Sequence, residues 1–174
     1  MVFSPRRISA IALLAIVSLV QSSCLVQVKM NGASIDYGKI HSIAIADFPN
    51  QAALVYPQLS AKLTEGIKEI YQRQTRLSIL QKGGDLELEG EITGYTLTAM
   101  AISADSYSAE TKLTITIMVH YTNNVNPEEN FDRSYTAYQT FDASQLLDDV
   151  QESLCEIMIK ELAEDIYNDT VAKW

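Results

Sequence analysis

Downstream of residue 39 the apolar positions change period several times, and each change marks an element. Ile43 and Ile45 alternate with small neighbours between Ile40 and Asp47, which reads as a strand. Phe48-Pro49-Asn50 ends it, because proline gives a ladder no N–H. Pro57 suits the first turn of a helix. Leu59, Leu63, Ile67 and Ile70 then recur at helical spacing. This helix is expected to reach about Thr75, roughly 28 Å at 1.5 Å per residue. Its other face carries Lys62, Lys68 and Arg73, with Arg76 and Lys82 close behind. Leu77 to Leu80 reads as a short strand, and Lys82-Gly83-Gly84-Asp85 as a hairpin turn.

Leu86, Leu88 and Ile92 alternate with Glu87, Glu89 and Glu91, the pattern of a strand with one wet face. Past Gly94 the apolar side moves to Tyr95 and Leu97. That change of phase requires a bulge or bend, which Gly90 and Gly94 permit. Ser103 to Ser108 is the expected turn of a long hairpin. Leu113, Ile115, Ile117, Val119 and Tyr121 give the cleanest alternation in the chain. After a loop from Asn123 to Asn130, a last strand holds Phe131, Tyr135 and Phe141 on one face and Tyr138 on the other. Asp142 with Gln145 has the form of a capping box and is expected to open a second helix. The stripe Leu147, Val150, Leu154, Ile157, Met158, Leu162 and Ile166 carries that helix toward Ala172, roughly 45 Å away. Its outer face is acidic, with Asp148, Asp149, Glu152, Glu156, Glu164 and Asp165.

Two one-sided helices need one shared sheet face to cover. The expected fold class is therefore α+β: two helices packed on one face of a mostly antiparallel sheet of about four strands. The basic first helix and the acidic second are expected to pair. The shared apolar face is the main source of stability, since exposed ion pairs contribute little.

The first residues have a different character. Arg6-Arg7 precedes an apolar run from Ile8 to Val20 that is too short for a comfortable bilayer span and suits a signal-peptide core. Ser22-Ser23-Cys24 follows, small residues and then a cysteine, as in a lipoprotein processing site; Gln21 departs from the leucine common there. The chain divides into a signal peptide over residues 1–23, a lipid-anchored lead-in over 24–39 and a single domain over 40–174. Cys24 is the expected lipidation site. Two or three acyl chains, at about 0.8 kcal/mol per buried methylene, anchor a protein stably. The covalent lipid is the only non-protein group expected. The two cysteines, Cys24 and Cys155, can pair in an oxidising compartment. The favoured reading keeps them separate, with Cys155 a small apolar residue of the second helix.

The chain has 174 residues and a formal net charge of −9. Loss of the leader removes Arg6 and Arg7 and leaves it more acidic, which argues against nucleic acid as a partner. Catalytic signals are weak. His41 and His120 lack neighbours at zinc-ligand spacing. There is no nucleophile elbow. Glu87, Glu89 and Glu91 on one wet face serve solubility better than acid–base chemistry. The basic cluster Lys62, Lys68, Arg73, Arg76 and Lys82 is the one candidate contact for an anionic lipid. Arg73 and Arg76 also suit the negative end of a helix dipole. Exposed tyrosines are candidate anchors for a protein partner.

Several segments together resemble the lipopolysaccharide-assembly lipoprotein (LptE) family in its Bacteroidetes-type branch. They are Asn31-Gly32-Ala33-Ser34-Ile35, Ile45-Ala46-Asp47-Phe48-Pro49-Asn50, Thr75 to Leu80, and Gly83-Gly84-Asp85-Leu86. Glu89 to Tyr95, Leu113-Thr114-Ile115-Thr116 and Asp165-Ile166-Tyr167-Asn168 complete the series. The resemblance spans about residues 24 to 174; Leu25 to Met30 depart from it, where the family more often has glycine and aromatics. It implies two helices on a four-stranded sheet and a place on the periplasmic face of the outer membrane. It implies a non-enzymatic protein that plugs and helps assemble an LptD-type β-barrel, which inserts lipopolysaccharide into the outer leaflet. Lipopolysaccharide itself is then a further candidate ligand, and Ser103 to Ser108 a candidate barrel contact. The alternative reading is a general envelope lipoprotein that binds another protein or a small ligand.

Overall fold

The computed structural model describes residues 35–54, 56–100 and 109–172. Five strands and two long helices follow in the order β1 (Ser42–Ile45), α1 (Leu59–Gln74), β2 (Ser78–Leu80), β3 (Leu86–Ala99), β4 (Glu110–Asn123), β5 (Phe131–Asp142) and α2 (Leu147–Thr170), with a 3-10 turn over Pro127–Glu129. The sheet order is β2-β1-β3-β4-β5. Both helices cover one face. Leu59, Leu63, Ile67 and Ile70 of α1 and Cys155, Met158, Leu162 and Ile166 of α2 are buried with Ile43, Ile45, Leu86, Leu88, Ile92, Ile115 and Ile117 of the sheet. Full burial of an aliphatic side chain stabilises by about 1.5–3 kcal/mol, so this shared layer outweighs every polar contact described below.

The sheet has five strands where about four were expected. The short strand read at Leu77–Leu80 forms as β2 and joins the same sheet, parallel to β1, and β1 is also parallel to β3. Antiparallel pairing is confined to the long ladders β3–β4 and β4–β5. The hairpin turn expected at Gly83-Gly84 is not one. β2 and β3 do not pair, because β1 lies between them, and residues 81–85 carry the chain across β1 on the side away from the helices. At Gly84 an added Cβ would stand 2.6 Å from the Ala44 N and 2.5 Å from the Leu86 O. Gly83 has a positive φ of 71° and open space around it. Glycine is thus needed at one position for space and at the other for conformation.

Asp85 fastens the crossing. Its carboxylate accepts from the N–H groups of His41 (2.8 Å) and Ser42 (3.0 Å) and from the Ser42 hydroxyl (2.9 Å). The Asp85 N–H donates back to Ser42 Oγ at 3.0 Å. The His41 N–H first, then the Ser42 hydroxyl, hold the Asp85 carboxyl below the usual carboxylate range.

The expected change of phase in β3 is a bulge: Ile92 faces Ile117, but Gly94 faces Thr116, so Thr93 is the extra residue. The core side passes from Leu86, Leu88 and Ile92 to Tyr95. Below the bulge Phe48 lies across Gly90, where a Cβ would be 2.5 Å from the ring. Thr64 and Ser60 of α1 hold the Phe48 N–H and C=O at 3.1 and 2.6 Å.

α2 starts five residues later than Asp142. Asp142 ends β5, and its carboxylate accepts from the N–H and hydroxyl of Ser144, which makes a turn rather than a helix cap. The helix is therefore 24 residues long, about 36 Å, not 45 Å. The helices approach closely at Gly66, whose missing Cβ would lie 2.6 Å from Ile159 Cγ2. At their lower ends the buried Tyr71 and Thr170 hydroxyls share a hydrogen bond.

Three substitutions test the crossing. Gly84→Ala forces the 81–85 segment off β1 and is expected to cost about 1–3 kcal/mol, read as a lower urea midpoint at unchanged slope. Gly83→Asn, which tolerates the left-handed region, costs much less. The lowered Asp85 pKa implies a linkage that stabilises the fold above the unfolded value of about 4 and is lost as pH falls through the folded value. Asp85→Asn should melt earlier than the parent at pH 7, and thermal melts should show the gap closing below about pH 4.

Candidate binding surfaces

Among the described residues nothing covers the sheet face away from the helices over β3, β4 and β5, and this face is divided by charge. Near β1 it carries Glu87, Glu89 and Glu91, set across from Thr122, His120 and Met118. His120 is exposed, as its phase in β4 predicts, and its Nδ1 lies 2.6 Å from the Asp132 carboxylate of β5. Toward the far end the carboxylates give way to Thr96, Thr98, Thr114, Thr116, Thr136 and Thr140. There Tyr138, 59% exposed, lies under Lys112, whose Nζ is 5.4 Å from the ring centre. A wide shallow depression of about 290 Å³ sits beside the crossing, between Ala44, Ala46, Lys82, Gly83, Glu87 and Glu89. Its walls bring no buried, converging polar groups together, as a catalytic cleft would. Among the described residues no group of His, Cys, Asp and Glu has the geometry to hold a metal ion, and no helix is long and apolar enough to cross a membrane.

The five basic residues do not share one patch. Lys62 faces α2 and reaches Glu152, with Glu156 at 3.8 Å. Lys68 pairs with Glu65 and Arg73 with Glu69, each at 3.2 Å within α1. The expected pairing of a basic helix with an acidic one therefore rests on Lys62. Proximity in sequence put acids three and four residues from Lys68 and Arg73, and those local partners win. Arg76 follows α1, and Lys82 lies on the opposite side of the sheet in the crossing. Both are exposed and have no ion-pair partner among the described residues. Cys24 and the Ser103 to Ser108 segment lie outside the described residues.

Two features of α2 were hidden in its sequence. Ile157, which its place in the apolar stripe suggests is buried, is 52% exposed. The stripe is wider than the sheet beneath it, so one margin reaches solvent. At the other end of the helix, Asp169 takes Tyr135 at 2.8 Å and also binds Arg133, which fixes α2 above β5.

The chain enters this domain at the end where Asp85 binds His41 and Ser42, while β3 runs 14 residues to the opposite end. At about 3.3 Å per residue β3 ends roughly 45 Å from the point of entry.

The model of the lipopolysaccharide-assembly family LptE matches residues 40–170. The chain belongs to the LptE family. The match covers every strand and helix described above. No curated protein matches the chain. Among solved structures, a hypothetical protein from Chlamydia trachomatis is similar at a TM-score of 0.52 and 12% identity, over 76% of this chain and 96% of that one. A neuraminyllactose-binding hemagglutinin homologue from Helicobacter pylori aligns at 0.50 and 7% identity, over 74% and 82%. A minor lipoprotein from Acinetobacter baumannii aligns at 0.44 and 13% identity, over 70% and 88%. For the first two of these the likeness is one of fold alone.

Cys155 is fully buried, and burial pushes its thiol up; Tyr95 Oη lies 3.9 Å from the sulfur. It has the environment of an inert core cysteine rather than a nucleophile. Iodoacetamide at pH 7.5 should leave Cys155 unmodified in the folded protein and alkylate it fully in denaturant, as read by mass spectrometry. Rapid native labelling would show that the α2–sheet layer opens at this point.

Proposed function

We propose that this LptE-family chain is a lipoprotein tethered through Cys24 to the periplasmic face of the outer membrane. There it plugs and helps assemble an LptD-type β-barrel that inserts lipopolysaccharide. The family match over residues 40–170 carries this reading. The geometry supports it. The end at which the chain enters the domain lies beside Asp85, and β3 and β4 run from there to the other end. A wall of threonines and one exposed tyrosine suits a polar protein lumen better than a lipid interior, since hydroxyls left unpaired in hydrocarbon are costly. The role is binding; no cofactor beyond the covalent lipid is required.

Lipopolysaccharide contact, if direct, falls to Arg76 and Lys82. The other three basic side chains already sit against carboxylates, and the acidic surface repels an anionic lipid elsewhere.

The test is a gentle-detergent pull-down of the tagged chain and of its Cys24→Ala variant, read by mass spectrometry. Recovery of a large outer-membrane barrel by both supports the plug and makes the lipid a tether only. If the parent chain recovers no barrel while other envelope complexes survive, the general envelope-lipoprotein reading replaces it. Arg76→Glu with Lys82→Glu should weaken binding to lipopolysaccharide micelles at least several-fold if the contact is direct, and leave barrel recovery unchanged.

A further inference from the structure

Among the described residues nothing pairs with the outer edge of the sheet, and the flank of α2 above it continues the same surface. β5 pairs with β4 in unbroken register from Glu110–Asp142 to Tyr121–Phe131. One step beyond, the Ala143 N–H donates to the Ala109 carbonyl at 2.9 Å. In an antiparallel ladder that bond fixes the parity of the whole strand. Tyr135, Ala137, Gln139 and Phe141 turn their backbone groups toward β4. Ser134, Thr136, Tyr138 and Thr140 turn theirs outward. From Ser134 to Phe141 the strand has no charge and no proline. These eight residues, about 26 Å of edge, lack the guards that edge strands ordinarily carry. The opposite edge is protected simply by the three-residue length of β2.

α2 supplies a wall beside this edge. Glu152 and Glu156 face Lys62, and Ile159 meets Gly66, so that side of α2 is turned to α1. Leu147, Val150, Leu154 and Ile157 recur at intervals of three and four on the flank turned away from α1. The first three are half-buried and Ile157 is exposed. Glu161 continues the same row and Asp165 follows, neither in an ion pair among the described residues. Backbone groups without a strand partner among the described residues, an apolar wall and acids at one end thus lie together.

We propose that the β5 edge and this flank of α2 accept an extended segment of a partner protein, added to the sheet as a sixth strand. Its alternate apolar side chains sit against Leu154 and Ile157, and its lysine or arginine side chains meet Glu161 and Asp165. Charge decides between occupants. A second copy of this acidic chain brings another acidic flank to the first, whereas a basic amphipathic segment neutralises it. Strand addition supplies affinity through the backbone and specificity through alternate side chains. The inference goes beyond the plug role and does not depend on it.

The test places a photo-crosslinking residue at Thr136 of the full-length chain in its own cell envelope, with the same residue at Thr116 on the open face for comparison. Cross-linked peptides are then sequenced. The expected product joins Thr136 to a partner segment with alternating apolar residues and at least one lysine or arginine. Its yield should fall at least tenfold in Ile157→Asp and in Tyr138→Pro, with melting temperatures little changed. Tyr138 turns its N–H outward, so proline there removes no bond to β4; Ile157→Asp stands alone if the proline variant folds poorly. Cross-links from Thr136 to a second copy, to lipid or to nothing overturn the proposal. So does a partner cross-link whose yield both variants leave intact.

Discussion

The fold turns on the passage of the chain across its own first strand. β1 is four residues long and has a strand on each side, α1 below it and the 81–85 segment above. Parallel neighbours ordinarily need a long covered connection. Here β2 and β3 lie on either side of β1 with five residues between them, which works only if the chain lies flat on the β1 backbone. Gly84 makes that approach possible, and Asp85 locks it by taking the N–H groups of His41 and Ser42 where β1 begins. Once the crossing is set, β3 starts level with Ile43, and the register of every later strand follows.

Because the crossing occupies the outer side of β1, the helices are confined to the other. Gly66 lets them touch, and Lys62 bridges them at the rim. The core then needs one apolar face per strand, and the sheet leaves its other face to water. That division explains why carboxylates and threonines alternate so regularly with isoleucine, leucine and valine in β3 and β4. It also explains the bulge at Thr93: two core-facing segments of opposite phase are joined in one strand without a break in the ladder.

Much of this was legible in the sequence because it rests on period. Both helices, the β4 strand, the wet phase of His120 and the shift near Gly94 follow from spacing alone. The misreadings have local chemistry behind them. Gly83-Gly84 looks like a hairpin turn because the sequence cannot show that β1 is to be inserted between β2 and β3. Asp142 looks like a helix cap because an aspartate before a turn has the same signature whether a helix or an Asx turn follows. The basic residues lie close along the chain, yet α1 and the crossing send Lys62 and Lys82 to opposite sides of the sheet. Ile157 sits in a stripe that is continuous in sequence but wider than the surface it covers.

Stability gives no reason for β5 to stay uncharged from Ser134 to Phe141. Lysine at Thr136 or Thr140 would leave every bond to β4 intact and would guard the strand, as charge does on most edges. Filling the α2 flank with polar residues at Ile157 would likewise remove no core contact of note, since half of that side chain already lies in water. The carboxylates are placed differently. Glu161 and Asp165 stand at one end of the apolar row, and Glu87, Glu89 and Glu91 crowd the open face, so each chain repels its own kind while the edge between them remains able to pair. Sticky backbone bounded by like charge discourages self-assembly and leaves a basic strand as the occupant that the surface opposes least.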